Sequence, residues 1–225
     1  MTFTVNGKPA LTAEDWKYGL ADPALHWKPG YSAWALAHSW HAANGFPSEV
    51  SAVLMPEFPH IEMAEGLIEH KVPMPGKGRA SQNDLFVIAN AGNQQLCIAI
   101  EGKVSESLGP TISEWRDGSP NKEVRLSGLL TWIGLPREIP QSIRYQLLHR
   151  MASPVIEAVR LNARHAVLLI HSFSGFDKSF NDFSNFVALY TREQVQVGKL
   201  YRLGSVGDIA LHAGWVHGDR TFLGT

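Results

Sequence analysis

Two short apolar runs constrain this chain more than any other feature: Asp84-Leu-Phe-Val-Ile-Ala89 and Leu96-Cys-Ile-Ala-Ile-Glu-Gly-Lys-Val104, separated by Asn90-Ala-Gly-Asn-Gln-Gln95. Segments this short and apolar on both faces suit central strands of a sheet covered on both sides. The connecting residues hold a Gly-Asn pair fit for a tight reversal, so a hairpin is predicted. A third run, His165 to Phe173 (HAVLLIHSF), leaves no polar face through Val167, Leu168, Leu169 and Ile170. It predicts a buried strand beside the hairpin.

The surrounding pattern is helical and makes the chain α/β. From Tyr31 to Ala43 the set Ala33, Trp34, Ala37, Trp40 and Ala43 follows helical spacing, and Asn44-Gly45 supplies a left-handed stop. Ser48 caps a short helix, Glu49 to Met55, which Pro56 closes. Ile61 to Val72 reads as a strand leading through Pro73-Met74-Pro75 into a basic glycine loop, Gly76 to Ala80. Short helices are expected around Ile112 to Trp115 and Lys122 to Gly134. In Ser142 to Asn162, residues Ile143, Leu147, Met151, Val155 and Val159 recur every fourth position, which predicts an amphipathic helix kinked or restarted at Ser153-Pro154. A helix over Asp182 to Tyr190 and strands Leu200 to Leu203 and Ile209 to Val216 follow. The first thirty residues, with Trp16, Pro23, Trp27, Pro29 and Gly30, read as an irregular arm. One domain is expected over 1–225, with a core at 31–171 and a C-terminal extension at 172–225.

Charge and composition narrow the function classes. The 225 residues are 44% hydrophobic and 18% charged, which supports a sizeable core and excludes disorder. Twenty Lys and Arg against twenty-one Asp and Glu leave a formal charge of -1, so any nucleic acid must be gathered by a local basic patch. The single cysteine, Cys97, cannot form an internal disulfide and fits a reducing compartment, hence the cytoplasm. Met1 to Pro9 lacks a signal-peptide pattern, and the longest strongly apolar run, Ala166 to Ile170, is far too short for a bilayer, so no membrane association is expected. Neither G-x-x-x-x-G-K-[ST] nor G-x-G-x-x-G occurs, which removes the commonest nucleotide-cofactor readings.

The chemistry lies in the hairpin. If it turns on Gly92-Asn93, opposed residue numbers sum to 185 and Asp84 faces Glu101; a turn on Ala91-Gly92 would instead bring Gln82 opposite Glu101. Opposed β-carbons sit about 4.5 to 5.5 Å apart, so two such carboxylates repel unless a cation or shared proton intervenes. Lys103 has the parity of Glu101 and shares its face. A hard cation with oxygen ligands, Mg2+ or Mn2+, suits the pair, and the ammonium beside it can orient a water.

With Asn83-Asp84 on one strand, Glu101-Gly102-Lys103 on the next and a helix on either side, residues 31–171 resemble the PD-(D/E)xK nuclease superfamily. Its order is helix, strand, Asp-bearing strand, Glu-x-Lys strand, helix, strand. The resemblance implies a restriction-endonuclease-like mixed sheet flanked by helices, here with added C-terminal strands. It implies Asp84 and Glu101 as metal ligands, with the Gly102 carbonyl as a further one, and Lys103 positioning the nucleophilic water. The implied activity is Mg2+-dependent phosphodiester cleavage of DNA or RNA; a catalytically silent binding or interaction module is the alternative. Asn83 stands where the superfamily usually has proline, and Gln146 is followed four residues on by Arg150 where one branch carries tyrosine. The stretches SQND, EGK, RYQLLHR and HAVLLIHSF also resemble a bacterial protein family with no assigned activity.

Around this centre, Glu69 is either a third carboxylate or an edge-strand surface charge, and Glu49, Glu62 and Glu65 are further acidic candidates. Lys71, Lys77 and Arg79 precede the Asp84 strand and are candidates for binding substrate phosphates. Arg144, Gln146, His149 and Arg150 on the later helix contact phosphate or cover a solvated face. His38 and His41, three apart on a helix, lack an evident third zinc ligand and read as packing. His171-Ser172-Phe173-Ser174-Gly175 lacks the glycine a nucleophile elbow requires at Ser172, which disfavours a serine hydrolase centred on Ser174.

Overall fold

The computed structural model of the chain describes residues 2–176 and 178–224, and its centre is one mixed sheet in the order β2-β1-β3-β4-β5-β6-β8-β7. The strands are β1 (Thr2–Val5), β2 (Lys8–Pro9), β3 (Glu62–Val72), β4 (Ser81–Ala91), β5 (Gln94–Lys103), β6 (His165–Ser172), β7 (Leu200–Val206) and β8 (Ile209–His217). The helices are α1 (Pro23–His26), α2 (Ser32–Ala43), α3 (Ser48–Leu54), α4 (Ile112–Trp115), α5 (Pro120–Trp132), α6 (Tyr145–Leu161) and α7 (Phe180–Val187).

The predicted hairpin is β4 and β5. Gly92 adopts φ +59 at the turn, and the pairs from Leu85↔Ile100 to Ala91↔Gln94 all sum to 185, the register expected for a Gly92-Asn93 turn. β6 lies parallel to β5, and β8 parallel to β6. Each of the central strands β4, β5 and β6 splits its side chains between two cores. Phe86, Cys97, Ala99, Leu168 and Ile170 pack with Leu147, Leu148, Met151 and Val155 of α6. Leu85, Val87, Ile98, Ile100, Val167 and Leu169 pack with Leu36 and Trp40 of α2 and Val50 and Leu54 of α3. With a helical layer on both sides the middle strands need no polar face, which is why they read as continuous apolar runs.

Four expectations change. The first thirty residues are more than an irregular arm: β1 alternates outward and inward, burying Phe3 and Val5, and pairs in parallel with β3. The helix expected from Ser142 begins at Tyr145, because Ile143 and Arg144 are engaged with the 110–112 segment, through Ile112 N–H to the Ile143 carbonyl and a bridge of Thr111 to Arg144. That helix also runs unbroken through Pro154, fully buried against the core. Proline there costs only the N–H that would have reached the Arg150 carbonyl, and packing offsets the loss. The helix expected at Asp182 to Tyr190 spans Phe180–Val187. Among the described residues no helix is long and apolar enough to cross a membrane.

Candidate functional site

Three carboxylates fall in one row across three neighbouring strands. Between the pairs Ile68↔Leu85 and His70↔Asn83, Glu69 of β3 stands opposite Asp84 of β4. Continuing the β4–β5 register one step past Leu85↔Ile100 sets Asp84 opposite Glu101. The Asp84 Oδ2 atom accepts the Gly102 N–H at 2.9 Å, which ties the ends of the two strands together. Glu69 has a left-handed backbone, φ +53, in the middle of its strand. A β-carbon-bearing residue other than Asn or Asp rarely adopts that conformation, and such strain collects at functional sites. Room for its side chain comes from Gly19, where an added β-carbon would lie 2.9 Å from Glu69 Cγ.

The remaining polar groups come from β5 and α6. The Lys103 ammonium donates to Glu101 Oε1 at 2.8 Å, confirming the shared face, and Gln146 Nε2 donates to the same oxygen at 2.7 Å. Arg150 donates from Nε to Glu101 Oε2 and from Nη1 to Ser81 Oγ at 3.1 Å, and its Nη2 lies 3.9 Å from Asp84 Oδ1. Glu101 itself is 3% exposed, whereas 24% of the Asp84 side chain stays open. Of this facing pair, Asp84 is therefore the more accessible carboxylate. Gln82, which the sequence reading did not single out, donates to Glu69 Oε2 at 2.7 Å. Its only signal was its parity with Asp84, two residues on.

The electrostatics separate the three acids. Burial raises Glu101, but Arg150 and then Lys103 outweigh it and hold its carboxyl well below the usual range. For Asp84, burial and then Glu101 push the carboxyl up to about 7; for Glu69, burial and then Asp84 push it up to about 8. Three acids share two cations, so ionising all three would leave the cluster one positive charge short. Burial, and after it Arg150, push His149 down to about 3, so this imidazole, 2.9 Å from Ser81 Oγ, is neutral.

Among the described residues no three His, Cys, Asp or Glu side chains surround one point as a ready chelate. The donor chemistry nevertheless fits a hard divalent ion. The donors are oxygens, a cation would supply the charge that ionising all three acids requires, and Mg2+ commonly takes only one or two protein carboxylates while keeping several waters. Asp84, Glu101, Glu69 and the Gly102 carbonyl are the groups available to hold it.

The other candidates are dispersed. Lys71 is exposed on β3 beside Glu69, along a groove that also includes Asn6 and His70. Lys77 and Arg79 line a separate cleft with Arg125 and His149. Arg144 is held by Asp182, at 2.9 Å, and by the Gly109 carbonyl, so it turns away from the acidic cluster. Glu49 bonds to buried His171, whose other ring nitrogen meets the Trp40 indole N–H at 3.2 Å. Glu62 is exposed, and Glu65 meets Thr4 at 3.5 Å. His38 packs on Trp34 and Trp27, and His41 on Phe3 and Trp16. Neither Ser172 nor Ser174 bonds to a histidine among the described residues; Ser172 Oγ accepts the Ser174 N–H, and Ser174 Oγ donates to the Phe176 carbonyl.

Comparison with known proteins gives one match: the model of a family described as a domain of unknown function (DUF6946) covers residues 9–220. No curated protein and no solved structure matches the chain.

Proposed function

We propose for this chain, which belongs to the DUF6946 family, a metal-dependent phosphodiesterase activity on DNA or RNA, centred on the carboxylates of β3, β4 and β5. One observation carries the reading. Asp84 and Glu101 face each other across a hairpin, and Lys103, two residues beyond Glu101, places its ammonium 2.8 Å from the same carboxylate. The order α2, α3, β3, β4, β5, α4, α5, α6, β6 supports it, since apart from α3, α4 and α5 it is the order of the PD-(D/E)xK nucleases that Asp84 and Glu101-Gly102-Lys103 resemble.

In this reading Asp84 and Glu101, with Glu69 and the Gly102 carbonyl, hold Mg2+ or Mn2+, which when bound would draw negative charge off the scissile phosphate. Lys103 keeps an ammonium at the edge of the cluster and orients a water for attack. Arg150 and Gln146 fix the rotamer of Glu101, since between them and Lys103 both of its oxygens are engaged. Lys71, Lys77 and Arg79 are the exposed cations nearest β4 for strand phosphates.

A second reading, a silent module that binds without turnover, draws on one specific observation: the cations closest to Glu101 are the chain's own Lys103 and Arg150. Incubating the protein with plasmid, single-stranded DNA and RNA in Mg2+ or Mn2+, beside Asp84→Asn, separates the two. Cleavage by wild type alone supports the enzyme. No cleavage, together with no Mn2+ binding at millimolar concentration, transfers the argument to the silent module.

A further inference from the structure

We infer that the cleft between the 76–80 loop and α5 is an oxyanion site that takes a phosphate group. Its anchor is Arg125, 8% exposed, on the inner side of α5. Arg125 Nε donates to Tyr145 Oη and Nη2 to the Arg79 carbonyl, each at 2.6 Å, while the buried Nη1 has no partner among the described residues. The other two buried cations, Lys103 and Arg150, are both paired with Glu101. Arg125 pairs with no acid among the described residues. A guanidinium out of water with an open donor and no counter-charge is costly, and an anion is what relieves it.

The cleft is built to supply that anion with partners. Its volume is about 320 Å³, and Lys77, Arg79, Lys122 and Arg125 line it with no Asp or Glu among the lining residues. Lys122 is already satisfied by Asp117, at 2.9 Å, but Lys77 and Arg79 carry exposed side chains free of ion pairs among the described residues. The loop is pinned to the start of α5 by Asn121, which accepts the Lys77 N–H and donates to the Lys77 carbonyl, both at 2.8 Å. Gly78, at φ +137, lets the loop lie against Nη1, since a β-carbon there would stand 3.2 Å from it. The thirteen-residue helix α5 opens at Pro120 beside the same loop and adds the positive end of its dipole. Charge-assisted donation from arginine, here the open Nη1 of Arg125, with lysine as a point charge is a phosphate pattern.

This site stands apart from the acidic cluster, with His149 and Ser81 between them; it shares Lys77 and Arg79 with the strand contacts proposed above, but an anion on Arg125 does not require cleavage at the carboxylates. The phosphate can come from free anions or from a nucleic-acid strand, and the test distinguishes them. The protein is titrated, at constant ionic strength, with inorganic phosphate, a nucleoside monophosphate and a 5′-phosphorylated oligonucleotide. The readouts are melting temperature and the Arg125 Nε–H resonance. Saturable binding that shifts this resonance is expected, with at least about tenfold loss on Lys77→Glu with Arg79→Glu, whose exposed side chains leave folding intact. Arg125→Gln should abolish binding if it folds. Asp84→Asn should retain binding, which keeps the result separate from the nuclease reading. Equal affinity for phosphate and oligonucleotide identifies a free anion, and an oligonucleotide preference of about tenfold or more identifies the strand. No saturable response to any of the three, or one that survives the double charge reversal undiminished, overturns the inference.

Discussion

Arg150 and Glu101 form a buried ion pair between the first half of α6 and the end of β5, 49 residues apart in sequence. Both are under 10% exposed, and Arg150 also spans Ser81 and approaches Asp84. Removing one partner of such a pair strands the other in low dielectric, so Arg150→Met should destabilise the fold by about 3 to 5 kcal/mol. Urea unfolding measures this. If Mn2+ occupies the acidic cluster, adding it should recover part of the loss. A fall of under about 1 kcal/mol would show that the pair is of little structural weight.

The two facing carboxylates should respond oppositely to neutral replacement. Glu101→Gln leaves Lys103 and Arg150 without their shared counter-ion and should cost about 2 to 4 kcal/mol. Asp84→Asn removes a charge that Glu101 repels, and an amide oxygen can still accept the Gly102 N–H, so stability should be unchanged or higher. The same variant should lose metal binding, whereas Lys103→Ala should keep most of it and lose turnover. Severe unfolding of Asp84→Asn would contradict a charge-strained site.

The pH dependence has a defined sign. Asp84 and Glu69 are acids whose folded values are raised, to about 7 and about 8. Each therefore contributes stability below its unfolded value that is lost as pH rises through the folded one. In a chelator, the stability of Asp84→Asn relative to wild type should therefore rise from about pH 4 to about pH 7, the opposite contribution of buried His149 being common to both proteins. Glu101 acts the other way, its stabilisation being lost only in strong acid. Denaturation midpoints of wild type, Asp84→Asn and Glu101→Gln from about pH 2 to pH 8 test both signs, and a difference between wild type and Asp84→Asn that does not change with pH would show that Asp84 is not raised.

How much of this was legible depends on the range of each interaction. The hairpin register followed from Gly92-Asn93 and two apolar runs, all local, and it carried Asp84, Glu101 and Lys103 to one face with it. Helical spacing tied Gln146 to Arg150 but not to Glu101, because four-residue periodicity identifies a shared stripe without saying which stripe faces the sheet. A glutamate at φ +53 leaves no compositional trace, since the turn chemistry that predicts left-handed residues favours Gly and Asn. Arg125 was missed because its burial depends on a distant partner, the Arg79 carbonyl, 46 residues away. The strand β1 did alternate as Thr2-Phe3-Thr4-Val5, but four residues are too few to outweigh the prolines and glycines that follow.

The parallel contact of β1 with β3 gives the last prediction. Gly66 pairs with Phe3, and a β-carbon at Gly66 would come within 2.6 Å of the Phe3 ring, with Met63 Cε at 3.1 Å behind it. Neither neighbour can yield easily, because Phe3 is buried against Trp16 and His41 and Met63 is buried too. Gly66→Ala should therefore release the edge strand before it disturbs the sheet centre, at a cost of about 1 to 3 kcal/mol. Hydrogen exchange locates the effect. Protection should fall at Phe3 to Val5 while Leu85 to Ala89 and Leu96 to Ile100 keep theirs, since those strands are held on both sides and β1 has only β3 and two residues of β2. Equal loss across all three segments would mean that β1 is integral to the central sheet rather than an edge added to it.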